Sequence, residues 1–363
     1  MISPKVSKPL KSTKITLTTL VPPPPVLALA TKNSEIELRG EEIGIKFEKN
    51  VLIGKSITID QLFNEYNYKN ISVNGLYQNN LFNGKLTSDD INLKGTFEGL
   101  ADLSDEINKF DFKATINYAN LRALNLFKRD SISELKGLID LDLTGDKLEN
   151  IVGIANFKNI IYTNERDIYP FKQFLIFSKV NENTRQIRID SEDIIKGELI
   201  GDFKFEQMLS IAQNALGGIY SNYTPYKVSL DQFLNFDFVI YNQIVDLFFP
   251  EISVAPNTKI NGSIKANKNQ LKLKVTSPKI TAYGTTIDSL FLDTDNKSDL
   301  YDSSLRAASI KTPHYTLSKL LLFNKTVNDT LFFKSIFKGG TSEKEKFNLD
   351  FYYTIDKNKK SVV

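Results

Sequence analysis

Ile139-Asp140-Leu141-Asp142-Leu143-Thr144-Gly145-Asp146 decides how this chain is read. Apolar and acidic residues alternate strictly, then Thr-Gly-Asp breaks the run. In an extended strand successive side chains point to opposite faces, so Ile139, Leu141 and Leu143 share one face and the aspartates the other. A helix would scatter the same residues around its surface. The segment therefore predicts a half-buried strand ending in a turn.

The rhythm recurs along the chain. Ile57 and Ile59, Ile91 and Leu93, Phe110 and Phe112, Ile187 and Ile189 keep a period of two. So do Leu199, Phe203 and Phe205, then Phe236, Phe238 and Ile240, then Leu271, Leu273 and Val275. Ile260 and Ile264, Leu290 and Leu292 continue it, and Phe347, Leu349, Phe351, Tyr353 and Ile355 close the series. Asn74-Gly75, Asn83-Gly84, Asn261-Gly262 and Lys338-Gly339-Gly340 read as further turns at short intervals. Such spacing predicts hairpins and meanders, because parallel strands need long crossovers. The fold class is mainly β, an elongated antiparallel repeat sheet, with residues 34–363 as one continuous β segment.

Three stretches have helical spacing. Residues 205–216 carry Met208, Ile211, Ala212 and Ala215, residues 242–249 carry Ile244, Leu247 and Phe248, and residues 313–322 follow Thr312-Pro313 as N-cap and first helical position. Each is expected to lie on a sheet edge or plug an open end. Leu121 to Phe127 and Leu317 to Phe323 share leucine spacing and a Leu-Phe ending, which suggests a weak internal repeat. Lys5, Lys8, Lys11 and Lys14 precede an apolar stretch that Pro22 to Pro25 interrupt, so residues 1–33 read as a Pro-containing linker or ragged start rather than a signal.

Composition limits the chemistry. With 46 basic against 43 acidic residues, scattered rather than clustered, there is no footprint for nucleic acid. There is no cysteine and a single histidine, His314, so thiolate catalysis, disulfides and a two-histidine metal site are excluded within one copy. Gly54-Lys55-Ser56 lacks the upstream glycine of a phosphate loop, where Lys49 stands. Asp293, Asp295 and Asp299 begin like a calcium loop but place Lys297 and Ser298 at ligand and turn positions. Paired acids such as Glu41-Glu42, Asp89-Asp90 and Glu192-Asp193 would face opposite ways on a strand. No catalytic residue, cofactor or metal is expected, and the chain reads as a non-enzyme.

The apolar face remains. Either it is the core of a closed sandwich or β-helix, or it is the concave side of an open, curved sheet able to hold acyl chains. Gly95, Gly137, Gly153, Gly197 and Gly201 lie in or beside strands, where they would let a sheet bend.

Three phrases carry a family resemblance: Lys113 to Asp130 (KATINYANLRALNLFKRD), Leu141 to Phe157 (LDLTGDKLENIVGIANF) and Ile287 to Asn296 (IDSLFLDTDN). They resemble repeat segments of the TamB (translocation and assembly module, AsmA-like) proteins of Bacteroidota, and the likeness extends over residues 35–355. The resemblance implies a taco-like β groove in the periplasm, held to the inner membrane by an anchor outside this chain. Phospholipid acyl chains would move along it, with an outer-membrane barrel-assembly partner of the TamA type. It also implies a lining made of Ile91, Leu93, Phe110, Phe112, Ile139, Leu141, Leu143, Leu199, Phe203, Phe205, Phe236, Phe238, Ile240, Leu271, Leu273, Leu349 and Phe351. The alternative is a structural or adhesive β-repeat protein with a closed core.

Overall fold

The computed structural model describes the backbone of residues 13–17, 34–39, 51–63, 65–78, 80–147, 149–217, 224–266, 270–298, 300, 302–328, 330–340, 345–355 and 361–362, with side chains from residue 65 onward except at 77, 78, 216, 242–244, 355 and 361. The chain divides into two compact units, Met1–Phe177 and Ser178–Val363. Both are antiparallel meanders. Among the described residues no helix is long and apolar enough to cross a membrane.

In the first unit the strands are β1 (Thr13–Leu17), β2 (Ser34–Arg39), β3 (Val51–Phe63), β4 (Tyr66–Gln78), β5 (Leu81–Asp89), β6 (Leu93–Asp102), β7 (Lys109–Asn120), β8 (Ser133–Thr144) and β9 (Val152–Asn164). Each pairs antiparallel with the next. β10 (Ile168–Asn181) starts beside β9, where Phe157 meets Phe174 with ring centroids 6.0 Å apart. β1 falls inside the stretch expected to be a linker; the proline run at 22–25 lies outside the described residues. So do the side chains of Gly54-Lys55-Ser56, although their backbone belongs to β3.

The register aligns the alternation across strands. Leu86, Phe97, Ala114, Ile139 and Phe157 stand in one cross-strand row, and Gly84, Gly99, Phe112, Leu141 and Ala155 in the next row on the same face. Rows between them carry Lys85, Glu98, Lys113 and Asp140 on the other face. Lys85 approaches Glu98 at 3.9 Å and Lys113 approaches Asp140 at 3.9 Å. Exposed pairs of this kind contribute little stability, so the opposite face does the holding. Ala114 is 2% exposed and Leu141 1%.

Two expected turns prove to be strand interiors. Asn74-Gly75 lies within β4 and Asn83-Gly84 within β5, with Gly75 directly opposite Gly84. A methyl group built at Gly75 would sit 2.6 Å from Gly84 Cα and 2.5 Å from the Asn83 carbonyl oxygen. The glycines are there for close backbone approach, not for chain reversal. Gly75→Ala is accordingly expected to destabilise the protein by about 1–3 kcal/mol, read from a urea midpoint shift at constant slope.

The second unit contains β11 (Thr184–Asp190), β12 (Ile195–Asp202), α1 (Met208–Gly217, entered by a 3-10 turn at Phe205–Gln207), β13 (Phe233–Ile240), α2 (Asn242–Phe248) and β14 (Ile252–Val254). It continues with β15 (Thr258–Lys265), β16 (Gln270–Ala282), β17 (Thr285–Asp295), β18 (Ser303–Lys311), β19 (Thr316–Val327), β20 (Thr330–Gly339), β21 (Glu345–Ile355) and β22 (Ser361–Val362). The ladder follows chain order, except that β13 pairs with β15 while β14 pairs with the far end of β16. Asn261-Gly262, also expected to turn, is inside β15, where the ring of Phe236 occupies the space a side chain at 262 would need.

α1 and α2 coincide with the first two expected helices. The third is corrected. Residues 316–327 form β19, and the Leu317, Leu320, Leu321 spacing arises from a bulge between Ser318 and Leu321, with Lys319 at φ +54°. One extra residue shifts the phase of an alternating strand and imitates helical spacing. Thr312 does cap, but it caps the β18–β19 turn: its hydroxyl accepts the His314 and Tyr315 amides at 3.3 and 3.1 Å. The suggested repeat fails with it, because Leu121 to Phe127 form turns and loop, not a strand.

Candidate functional site

The alternation builds one apolar face in each unit. In the first, Leu93, Phe110, Ile139 and Leu141 are buried, while Phe112 and Leu143 are half-buried on the same side. Ile91 does not join them. It sits in the β5–β6 turn and is 80% exposed, because Asp90 rather than Ile91 is drawn inward. The Asp90 carboxylate accepts bonds from the Tyr66 hydroxyl at 2.5 Å, the Lys69 amide at 2.8 Å and the Asn92 amide at 2.8 Å. Ile91 is left pointing to solvent.

The rim of the first unit is closed by a second buried aspartate. Asp130 accepts from Arg129 Nε at 2.6 Å and Nη2 at 2.8 Å, from the Tyr162 hydroxyl at 2.7 Å and from Asn164 Nδ2 at 3.3 Å. The Arg129 guanidinium, first among these, holds the Asp130 carboxyl below its ordinary range. Burial pushes the Tyr162 phenol up to about 12. Leu124, in the same loop, has no exposed surface, and Phe127 meets Tyr162 edge-on at 6.3 Å. This loop stops the end of the sheet with a satisfied polar network. Each charged or polar group in it is held by partners in the loop and on β9.

In the second unit the expected lining divides into three environments. Leu199, Phe203 and Leu271 are buried with Leu234 and Ile264 beneath Ile211 and Ala215 of α1. Phe205, Phe236, Phe238 and Leu273 are partly buried against that cluster, and Ile240 is half-buried. Leu349 and Phe351, on β21, are 46% and 40% exposed. The apolar face is thus sealed by a helix in one place and open to solvent in another. Each strand otherwise makes its close backbone contacts with its ladder neighbours.

A shallow depression of about 340 Å³ lies at the last hairpin, lined by Phe323, Lys325, Phe332, Phe333, Lys334, Asp350, Phe351 and Tyr352. That is at the lower end of volumes that hold small molecules, about 300–1,000 Å³. Phe351, expected in the trough, lines it with Phe333, while period two places Phe332, Lys334 and Tyr352 on the opposite face of the ladder, so the concavity draws on both faces. Sequence alternation alone did not single it out, since Phe332-Phe333 puts an aromatic on both faces.

Two of the acidic residues considered for calcium are occupied otherwise, and Asp299 lies outside the described residues. Asp293 lies 3.6 Å from Lys274 and Asp295 lies 2.9 Å from Lys272 across the β16–β17 ladder. Asp302, which the sequence did not flag, is buried. It accepts from Lys325 Nζ at 3.1 Å and from the Thr326 amide at 2.7 Å. Like Asp90, it pins a neighbouring strand at a hairpin.

Fold and face together define a class: a mainly β, antiparallel meander protein with one apolar and one charged side. Comparison goes no further, since no protein-family model, curated protein or solved structure matches the chain.

Proposed function

We propose that this chain is a lipid-carrying segment of the TamB type, working in the periplasm between inner and outer membrane alongside a barrel-assembly partner. One observation supports this reading above the others. The apolar rows run across successive strands and, beside buried Ala114 and Leu141, leave aromatic side chains such as Phe97, Phe112 and Phe157 half-buried. A closed core would bury them fully. An acyl chain crossing water costs about 0.8 kcal/mol for each exposed methylene, so a half-open apolar strip lowers the barrier with no nucleophile or metal.

The α1 cluster favours the competing reading of a closed structural repeat, at least locally, because Phe203 and Leu271 cannot meet a lipid while the helix covers them. In the transport reading α1 is a plug. Extracting the purified chain with organic solvent and identifying phospholipid by mass spectrometry tests the choice. Bound phospholipid is expected, and Phe112→Glu is expected to retain at least about fivefold less while keeping its β circular dichroism, because the carboxylate would meet the acyl chain. Lipid-free protein, or equal lipid in the variant, would exclude the proposal.

A further inference from the structure

We infer that one end of the Ser178–Val363 unit is a membrane-docking rim, whose aromatic turn tips enter the headgroup layer of a zwitterionic phospholipid surface. Three connections meet there. Phe248-Phe249-Pro250-Glu251 leads from the last residue of α2 to β14, Tyr283-Gly284 joins β16 to β17, and Thr312-Pro313-His314-Tyr315 joins β18 to β19. The Tyr283 amide donates to the Glu251 carbonyl oxygen at 3.3 Å, and a methyl group built at Gly284 would lie 3.8 Å from Pro313, so the three tips are contiguous. Phe248, Phe249, Tyr283 and Tyr315 are 51%, 60%, 77% and 58% exposed. A single exposed ring is ordinary, but four on adjoining tips form a patch. Docking through it does not require that the apolar sheet face carry acyl chains.

The backbone of the tips is largely satisfied from within. The Phe249 amide donates to the Val245 carbonyl at 2.7 Å, the Ile252 amide to the Phe249 carbonyl at 2.8 Å and the Thr312 amide to the Tyr315 carbonyl at 2.9 Å. The Thr312 hydroxyl accepts the His314 and Tyr315 amides, and Pro250 and Pro313 have no N–H to satisfy. Unanswered backbone groups are the main cost of leaving water for lipid, and here that cost is small. The phenylalanines supply apolar area, while each tyrosine keeps a hydroxyl for the headgroups. Charge then selects the lipid. Glu251 and His314 are the ionisable side chains other than tyrosine in the three connections, and Lys311, just behind, is paired with Asp288 at 3.7 Å. Glu192 and Asp193 lie in the adjoining β11–β12 connection, whose Ile194 carbonyl accepts the Tyr241 amide at 3.0 Å. Anionic lipid is drawn by clustered Lys and Arg, so this acid-flanked rim suits a zwitterionic surface. Four rings of about 150–250 Å², roughly half to three quarters open, offer about 500 Å², less than the about 800 Å² that each partner buries in a standard protein interface.

Flotation with phosphatidylcholine vesicles is expected to carry the natural chain upward, equally at about 100 and about 500 mM NaCl and with no gain from added phosphatidylglycerol. Phe249→Ser combined with Tyr283→Ser should weaken vesicle binding at least about tenfold. Both side chains are largely exposed, so the double variant should keep its β circular dichroism and urea midpoint. Leu300→Ser, 77% exposed in the β17–β18 connection at the other end of the sheet, should bind as the natural chain does. Since the chain has no tryptophan, Tyr283→Trp gives an independent reading. Its emission should shift to the blue on vesicles and be quenched by brominated phosphatidylcholine, while that of Leu300→Trp should not. Absence of flotation, the result expected of a rim that serves a protein partner, would overturn the inference. So would full binding by the double variant, binding that needs anionic lipid or is lost at high salt, or equal quenching in the two tryptophan variants.

Discussion

Phe203→Glu is expected to unfold the core of the Ser178–Val363 unit, whereas Phe238→Glu, one ladder away, is expected to leave it folded. Phe203 is 6% exposed and closes the cluster formed by Leu199, Leu234, Ile264, Leu271 and the α1 residues Ile211 and Ala215. Its ring meets Phe205 edge-on at 5.3 Å. Removing a buried phenylalanine alone costs about 3–5 kcal/mol, and a carboxyl in its place must stay neutral or bring water into the core. That sum approaches the whole stability of a typical domain, about 5–15 kcal/mol. Phe238 is half-buried, so its replacement loses only part of an aromatic contact, about 1–2 kcal/mol. Urea denaturation followed by circular dichroism separates the two. Equal midpoints would mean that α1 does not pack on the sheet.

The same pair shows what the sequence could and could not convey. Phe203 and Phe238 look alike in the alternating pattern, since both lie on the apolar side. Their difference is made by Ile211 and Ala215, which arrive from a helix whose position no local period encodes. Alternation was nevertheless a sound guide to the strands: β7, β8, β13 and β16 lie where Phe110, Ile139, Phe236 and Leu271 placed them. Glycine misled where it served packing. Gly75, Gly84 and Gly262 follow asparagine and so resemble hairpin turns, yet each faces a backbone or ring too close for a side chain. Lys319 misled through its left-handed backbone, which moves Leu320 and Leu321 out of phase and creates helical spacing within a strand.

Buried aspartates were invisible for a further reason. Asp90, Asp130 and Asp302 have the same sequence surroundings as solvated turn acids, and only their distant partners, such as Tyr66, Tyr162 and Thr326, distinguish them. Long-range hydrogen bonding leaves no short-range mark. This also explains why the candidate lining lost Ile91: the neighbouring Asp90 has the stronger claim on the interior because it is met there by three donors.

Asp130→Ala is expected to be among the most damaging single changes in the first unit, at about 3–5 kcal/mol. It removes one acceptor shared by the Tyr162 hydroxyl, Asn164 and the Arg129 guanidinium, and leaves Tyr162 only its bond to Ser133 among those described. The pH dependence has a definite sign. The folded-state pKa of Asp130 is depressed, so its contribution is fully present above the unfolded value of 3.8 and fades as the pH falls below it toward the folded value. Tyr162 acts at the other end of the scale. Its folded pKa, about 12, lies above the ordinary 10.0, so stability is present below pH 10 and is lost as the pH rises toward 12. The natural protein should therefore lose stability on both flanks. In Asp130→Ala the acid-side loss should shrink, and in Tyr162→Phe the alkaline one should, each measured by urea midpoints across the pH range. Unchanged acid sensitivity in Asp130→Ala would show that other carboxylates, with Asp102 and Asp288 the first to test because their pKa values are also lowered, govern acid unfolding instead.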